Sequence, residues 1–534
     1  MVEADGRSAA PPEDQRAVIA FLSRPEAYRL PPQTTVERID THSAVVFLVG
    51  DRAYKLKRAV KFPFLDFSTR DLRRRFCADE VTLNRRTAPH HYLGVVPVMQ
   101  AGKGLRLGDM VEPDRMPVEA ADWLVVMRRF DQDQLLSEVA ARGALSVAIV
   151  VDLACTIARF HASAQPLDEF GGGARLAESV AMDVAQMIAR GDLLDPALGR
   201  ELAEVLPQEA SRLAPAADAR RSQGAIRRCH GDLHLGNIFL EDGRPIPFDG
   251  IEFNPRLSCV DVLYDLAFLL MDLDFRDLRI HASAALNNYL WRTAETDEAV
   301  LSGLALLPIY LARRAAIRAH VEAAGIPHIA DRALATAARD RACAYQRYAR
   351  ALFPPAAPEL VAVGGLSGTG KTTLAMALAP EIGATPGAVV VRSDVLRKRM
   401  AGIALEARMP EGWYTPANTA AVYSEMHRLA GVALRAGRSV VLDAVYARPT
   451  ERAAAAEIAG AAGVPFHGFW LEAPTDLLQQ RIVSRQGDAS DATPAVVERQ
   501  TEYDLGDIEW NRLDATETSP QIAGKALASL RRGG

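Results

Sequence analysis

A chain of 534 residues exceeds a single ordinary hydrophobic core and calls for two or more domains. Hydrophobic content of 49% and charged content of 24% describe a folded globular chain, and a net charge of −5, spread evenly, excludes the basic excess of a general nucleic-acid binder. The five cysteines (Cys77, Cys155, Cys229, Cys259, Cys343) are scattered without a C-x-x-C pair, which argues against a disulfide framework and for a reducing, cytoplasmic setting.

In chain order, residues 1–34 read as a flexible start with a short helix from Asp14 to Leu22, and Met1–Asp14 is acidic, Ala/Pro-rich and without the apolar run of a signal peptide. Val45–Val49 is an apolar strand, Gly50-Asp51 a hairpin turn, and Ala53–Lys57 an alternating strand. Leu72–Thr87 is an amphipathic helix, and strands follow near Val95–Met99 and Leu124–Met127. From Ser146 to Phe353 helical periodicity dominates, broken by a loop and hairpin at Cys229–Phe253. A β-rich lobe followed by a larger helical lobe is the protein-kinase plan. The most apolar helix candidate, Val260–Leu273, is interrupted by Asp261, Asp265 and Asp272, so no membrane span is expected. Pro354–Pro358 is the strongest linker signal and separates a domain at 35–353 from one at 359–534. Beyond it, the apolar runs Leu360–Val363, Val389–Val391, Ser439–Leu442 and Phe466–Leu471 alternate with helical sequence, which predicts a parallel α/β sheet.

Two phosphate-handling motifs stand on either side of that linker. Gly365-Leu366-Ser367-Gly368-Thr369-Gly370-Lys371-Thr372 fits G-x-x-x-x-G-K-[ST] at every fixed position, between a predicted strand and a predicted helix. Its glycines let the backbone wrap phosphates, Lys371 reaches the β/γ-phosphates, and the Thr372 hydroxyl faces Mg²⁺; Thr373 completes the nucleotide-binding set. In the first domain His230-Gly-Asp232, Asn237 and Phe248-Asp249-Gly250 have the spacing of a kinase catalytic loop. Asp232 is placed as base for an acceptor hydroxyl, while Asn237 and Asp249 offer the hard oxygens that Mg²⁺ requires. Only seven of the 62 basic residues are lysines, at 55, 57, 61, 103, 371, 398 and 525, so the cluster at Lys55, Lys57 and Lys61 draws notice in an arginine-biased chain.

Gly-Asp after His230, in His-Gly-Asp-Leu-His-Leu-Gly-Asn, resembles the aminoglycoside phosphotransferases and their choline, homoserine and sugar kinase relatives over about residues 35–320. Ala158-Arg-Phe-His161 and Asp261…Asp265 fit the same family, the two aspartates as braces rather than chemistry. The resemblance implies ATP with Mg²⁺, and a strand lysine holding the phosphates: Lys57 by the best match of Tyr54-Lys-Leu-Lys57, with Lys55 open and Glu80 as the helix partner. A glycine-rich clamp is not evident where Asp40–Ser43 stands.

The second domain resembles the small P-loop kinases of the polynucleotide and gluconate kinase type. That resemblance implies Asp394, after the second strand, as the base and Arg397 as an acceptor-holding residue. It also implies Asp443 as the Mg²⁺-orienting residue of Val440–Asp443, and Arg481 and Arg485 as lid arginines on the transferred phosphoryl. Asp394 as a mere helix N-cap, and the two arginines as a solvated pair, are the alternatives. The fold class is therefore α/β and α+β: a two-lobed kinase-like domain, then a P-loop parallel-sheet domain. Two ATP-dependent transfers to small hydroxylated acceptors are expected, or else one site that binds or hydrolyses ATP to regulate the other. No membrane partner is expected, and the acceptors and oligomeric state are left open.

Overall fold

The computed structural model describes residues 13–62, 64–484, 491 and 493–533. The chain divides into two compact units: Met1–Leu145 with Ser163–Gln165 and Arg227–Val260, and Ser146–Ala162 with Pro166–Ile226 and Asp261–Gly534. Most of the helices from Val147 onward therefore group with the P-loop region, and the second unit runs across Pro354–Pro358.

In the first unit, six antiparallel strands lie in the order Glu37–Asp40, Ala44–Val49, Arg52–Lys57, Asp122–Arg128, Tyr92–Ala101 and Gly104–Leu107. The period of two decides what each face does. Val45, Phe47, Val49, Tyr54 and Leu56 pack with Val18 and Leu22 of the helix Arg16–Leu22. The alternate residues of the third strand, Lys55 and Lys57, instead reach Glu80 on the helix Arg70–Asn84, whose Cys77 and Val81 pack against Trp123 and Val125. The Asp40–Ser43 segment closes the first hairpin with polar groups: the Ala44 N–H donates to Thr41 Oγ1, and Arg58 pairs with Asp40. The hairpin of Ile238–Glu241 and Arg244–Pro247 follows the catalytic-loop motif and packs through Phe239, stacked on Phe130 at 4.4 Å.

The second unit carries the helical stretch and a five-stranded parallel sheet. The sheet order is Val389–Arg392, Val440–Asp443, Leu360–Gly365, Phe466–Glu472 and Asn511–Asp514. Helices Lys371–Leu378 and Ser519–Gly533 pack Leu374, Leu378, Ile522 and Ala526 on Val361, Val363, Val441 and Phe469. In the helical stretch Asp261 caps the helix Val262–Phe275 and takes the Arg220 guanidinium at 2.8 Å, while Asp265 faces His161 Nε2 at 3.1 Å. Both aspartates brace helices. The segment Asp297–His328 is long and apolar enough to cross a membrane by length and composition, but 78% of its most apolar window is buried inside the fold, as in a core helix. Among the described residues the five cysteines form no disulfide.

Candidate active sites

In the first unit the catalytic-loop motif is pinned from behind. His230 Nε2 lies 2.8 Å from the Phe248 carbonyl oxygen, and Gly231 takes φ +85°, a conformation that glycine alone adopts freely. The Asn237 amide donates to Asp232 Oδ2 at 2.8 Å and to the Asp232 carbonyl at 3.0 Å, which fixes the carboxylate and commits the Asn237 nitrogen, not its oxygen. Asp249 is a non-glycine residue at φ +59°, held there by its N–H on the Tyr92 hydroxyl (3.1 Å) and by the Gly250 N–H on Asn84 Oδ1 (2.7 Å). Such a strained backbone persists only where its surroundings enforce it.

The lysines sort themselves by depth. Lys55 Nζ bridges Glu80 Oε1 at 2.9 Å and Asp249 Oδ1 at 2.6 Å, with its side chain 16% exposed. Lys57 Nζ lies behind it at 2% exposure, 2.5 Å from Glu80 Oε2 and paired also with Glu252. The lysine beside Asp249 is thus Lys55, whereas the motif match had favoured Lys57. Burial opposes the charge on Lys55, but the carboxylates of Asp249 and Glu80 outweigh it and hold the ammonium well above its usual range. Burial likewise works against the Glu80 carboxylate, yet the two lysines pull its pKa down. Glu252 is fully buried, shares only Lys57 closely and feels Glu80 beside it, so its pKa is pushed up. Asp249 remains 43% exposed, and its carboxylate, like the Asn237 amide oxygen, is a hard donor of the kind that fits Mg²⁺.

In the second unit, Gly365, Gly368 and Gly370 take φ values of +139°, +87° and +91°. A Cβ at Gly365 would stand 2.6 Å from the Leu471 carbonyl, and one at Gly368 would stand 2.7 Å from that of Leu478. Lys371 Nζ donates to the Leu366 carbonyl at 2.9 Å, Thr369 Oγ1 donates to the same oxygen at 2.8 Å, and the Ser367 N–H donates to Gln500 Oε1 at 2.8 Å. Thr372 Oγ1 donates to Asp443 Oδ2 at 2.6 Å, which brings together the two oxygens that the sequence assigned to Mg²⁺. They fit that ion by the same donor chemistry. A cavity of about 260 Å³ opens beside the loop, lined by Gly368, Thr369, Gly370, Thr373, Arg481 and Glu517.

Asp394 lies in the first turn of the helix Ser393–Met400, whose N-cap position is taken by Arg392, so the capping alternative for Asp394 does not hold. Arg397 follows one turn on and is buried, with its guanidinium 5.2 Å from the Tyr414 ring and Nη1 3.4 Å from Thr419 Oγ1. Arg481 Nη2 donates to the Ala515 carbonyl at 2.9 Å. Arg485 lies outside the described residues. Asp491 pairs with the buried Lys398 at 3.3 Å and accepts the Met409 N–H at 3.0 Å. Sequence reasoning missed Arg392, Gln500, Glu252 and Asn84, since none belongs to a motif. Only the shared Asp-Gly-Ile-Glu context of Glu252 offered a signal.

Two family models match this chain in tandem: the phosphotransferase enzyme family over residues 74–304 and an AAA domain over residues 360–503. Uncharacterized proteins of Mycobacterium tuberculosis and Mycobacterium bovis are 31% identical over 518 residues, spanning 94% of this chain and 96% of theirs. The chain belongs to one family with these mycobacterial proteins. The first match begins after the Lys55–Lys57 strand and takes in Glu80, Asp232, Asn237 and Asp249; the second takes in the P-loop, Asp394, Asp443 and Arg481. Among solved structures, a choline/ethanolamine kinase family protein from Mesorhizobium loti is 15% identical with a TM-score of 0.32, covering 60% of this chain and 92% of that one. A gluconokinase from Sinorhizobium meliloti is 21% identical with a TM-score of 0.25, covering 33% and 93%. The two matched domains of this chain are of kinase type, which points to phosphotransfer and ATP use.

Proposed function

We propose that this protein is a bifunctional ATP-dependent phosphotransferase, each domain moving the γ-phosphoryl of ATP to a hydroxyl of a small molecule in the cytoplasm. The observation that carries the reading is the Lys55 ammonium held between Glu80 and Asp249, at 2.9 and 2.6 Å, over a loop that orients Asp232 through Asn237. In this reading Lys55 meets the phosphates and Lys57 fixes Glu80 from behind. Asp232 takes the acceptor proton as the new O–P bond forms and the bond to ADP breaks. In the second domain the Gly365–Thr373 segment cradles the phosphates, Asp394 is the base, Arg397 holds the acceptor, and Arg481 with Arg485 meets charge on the transferred group. Mg²⁺ held by Asn237 and Asp249, or by Thr372 and Asp443, would supply positive charge that neutralises the phosphates. A general nucleic-acid or membrane partner is not part of the proposal.

The competing reading makes one site an ATP-binding regulator of the other. ADP release by the full chain, measured against a panel of sugars, amino alcohols, nucleosides and aminoglycosides, separates the two. Lys371→Ala isolates the first site and Asp249→Ala the second. Acceptor-stimulated release from both is expected, and Asp232→Asn or Asp394→Asn should cut it by about 10²–10⁴ with ADP affinity retained. Release that ignores every acceptor at one site would make that site the regulator.

A further inference from the structure

Helix Arg279–Arg292 lies within the span of the phosphotransferase match, yet it is built into the edge of the P-loop sheet. Strand Val389–Arg392 is an edge strand, and an edge presents backbone groups that need partners. Asn287, fully buried, supplies them from the helix: its Nδ2 donates to the Ala388 carbonyl at 3.1 Å, and its Oδ1 accepts the Val390 N–H at 2.7 Å. One turn on, on the same helix face, Trp291 Nε1 donates to the Val390 carbonyl at 3.0 Å. A charged rim surrounds the bracket: Arg399 bonds the Leu290 carbonyl at 3.0 Å and Asp297 at 2.9 Å, and Arg428 meets Glu298 at 2.7 Å.

The bracketed strand ends at Arg392, and that residue reaches the nucleotide site. Its Nη2 lies 3.2 Å from Thr372 Oγ1 and its Nε 3.3 Å from Asp443 Oδ2, the same two oxygens that fit Mg²⁺. Its guanidinium carbon sits 5.2 Å from the Trp291 ring, a cation–π distance, in a place where Arg392 is almost fully buried. A guanidinium and a divalent cation compete for one carboxylate oxygen, since each satisfies it and the two repel one another.

We propose that Arg392 and Trp291 are positioning residues for the Thr372–Asp443 metal pair. The guanidinium holds the two oxygens until Mg²⁺ displaces it, and the Trp291 face sets how firmly it is held. Helix Arg279–Arg292 of the phosphotransferase-type region thereby tunes metal affinity at the P-loop site, and metal binding there acts back on that helix with equal coupling. The inference rests on the P-loop reading given above.

The test uses the full chain carrying Asp249→Ala, so that only the P-loop site reports, and follows Mg²⁺ titrations at saturating ADP by tryptophan emission and by calorimetry. Arg392→Gln leaves Asp443 without its resident cation, so Mg²⁺ should bind about threefold to tenfold more tightly. Trp291→Leu should shift affinity in the same direction, while Trp291→Phe, which keeps the aromatic face, should stay near the parent. The emission change on Mg²⁺ addition should shrink in the Trp291→Phe chain even if Arg392→Gln does not fold. Unchanged or weaker Mg²⁺ binding in Arg392→Gln, or a Trp291→Leu chain that loses only melting temperature, overturns the inference and leaves the kinase reading standing. No Mg²⁺-dependent ADP binding in the parent would sink the P-loop reading itself.

Discussion

At the scale of single residues, the first site turns on a difference between two neighbouring lysines. Lys55 and Lys57 point to one face of their strand because the side-chain period is two, and both therefore meet Glu80. Depth then separates them. Lys57, only 2% exposed, neutralises Glu252 and shares Glu80 with Lys55, so Lys57→Ala strands the buried Glu252 carboxylate and should cost about 3–5 kcal/mol of stability. Lys55 stands closer to solvent, against a half-exposed Asp249. Lys55→Ala should unfold in urea close to the parent but lose acceptor-stimulated turnover at the first site. Paired urea denaturation and ADP-release assays check both outcomes. If Lys55→Ala is the destabilised variant and Lys57→Ala the folded, inactive one, the assignment of the two lysines is reversed.

At the scale of elements, the P-loop shows why particular glycines stand where they do. Gly368 combines φ +87° with a backbone carbonyl 2.7 Å from where a Cβ would sit, so neither torsion nor space admits a side chain. Gly368→Ala should cost about 1–2 kcal/mol for the left-handed backbone alone. It should also abolish ADP binding at the second site while the first keeps its own, as separate titrations in the Lys371→Ala and Asp249→Ala backgrounds would measure. ADP binding retained at the P-loop site would mean that the loop adapts and that Gly368 is not structurally required. The strands that feed this loop were legible because Leu360–Val363, Val389–Val391 and Val440–Leu442 are uninterrupted apolar runs, as strands buried on both faces must be. The fifth strand, Asn511–Asp514, was not legible. Of its four residues only Leu513 is buried, so no apolar run marks it. Its pairing with Phe469–Glu472 is decided by the neighbouring strand.

At the scale of the whole molecule, stability should depend on pH through buried and half-buried imidazoles. Burial lowers the pKa of His91, His320 and His427 below the ordinary 6.5. The unfolded chain then binds more protons than the folded one at mildly acid pH. The stability these groups contribute is complete above about 6.5 and is lost as pH falls toward their folded values. Melting temperature should therefore decline between about pH 7 and about pH 5.5. His427→Gln should soften the decline in the unit that holds the P-loop. A melting temperature flat or rising toward acid would show that these rings are protonated in the folded chain.

The sequence by itself determined that there are two phosphate-handling motifs, a kinase-like plan before a parallel α/β domain, and the residue types at each site. Those features are local: a P-loop, a catalytic loop and an apolar strand each declare themselves within about ten consecutive residues, where backbone dihedrals and hard-oxygen chemistry limit the choice of side chain. The tertiary structure decided what depends on long-range approach. Which lysine meets Asp249 follows from how far each reaches past Glu80 across a separation of almost 200 positions. That Arg392 stands just before the Asp394 helix and lies against Thr372 and Asp443 follows from strand order. That Asn287 and Trp291 close the edge of a sheet about a hundred residues away follows from a buried edge strand needing partners, which no periodicity in the helix itself announces.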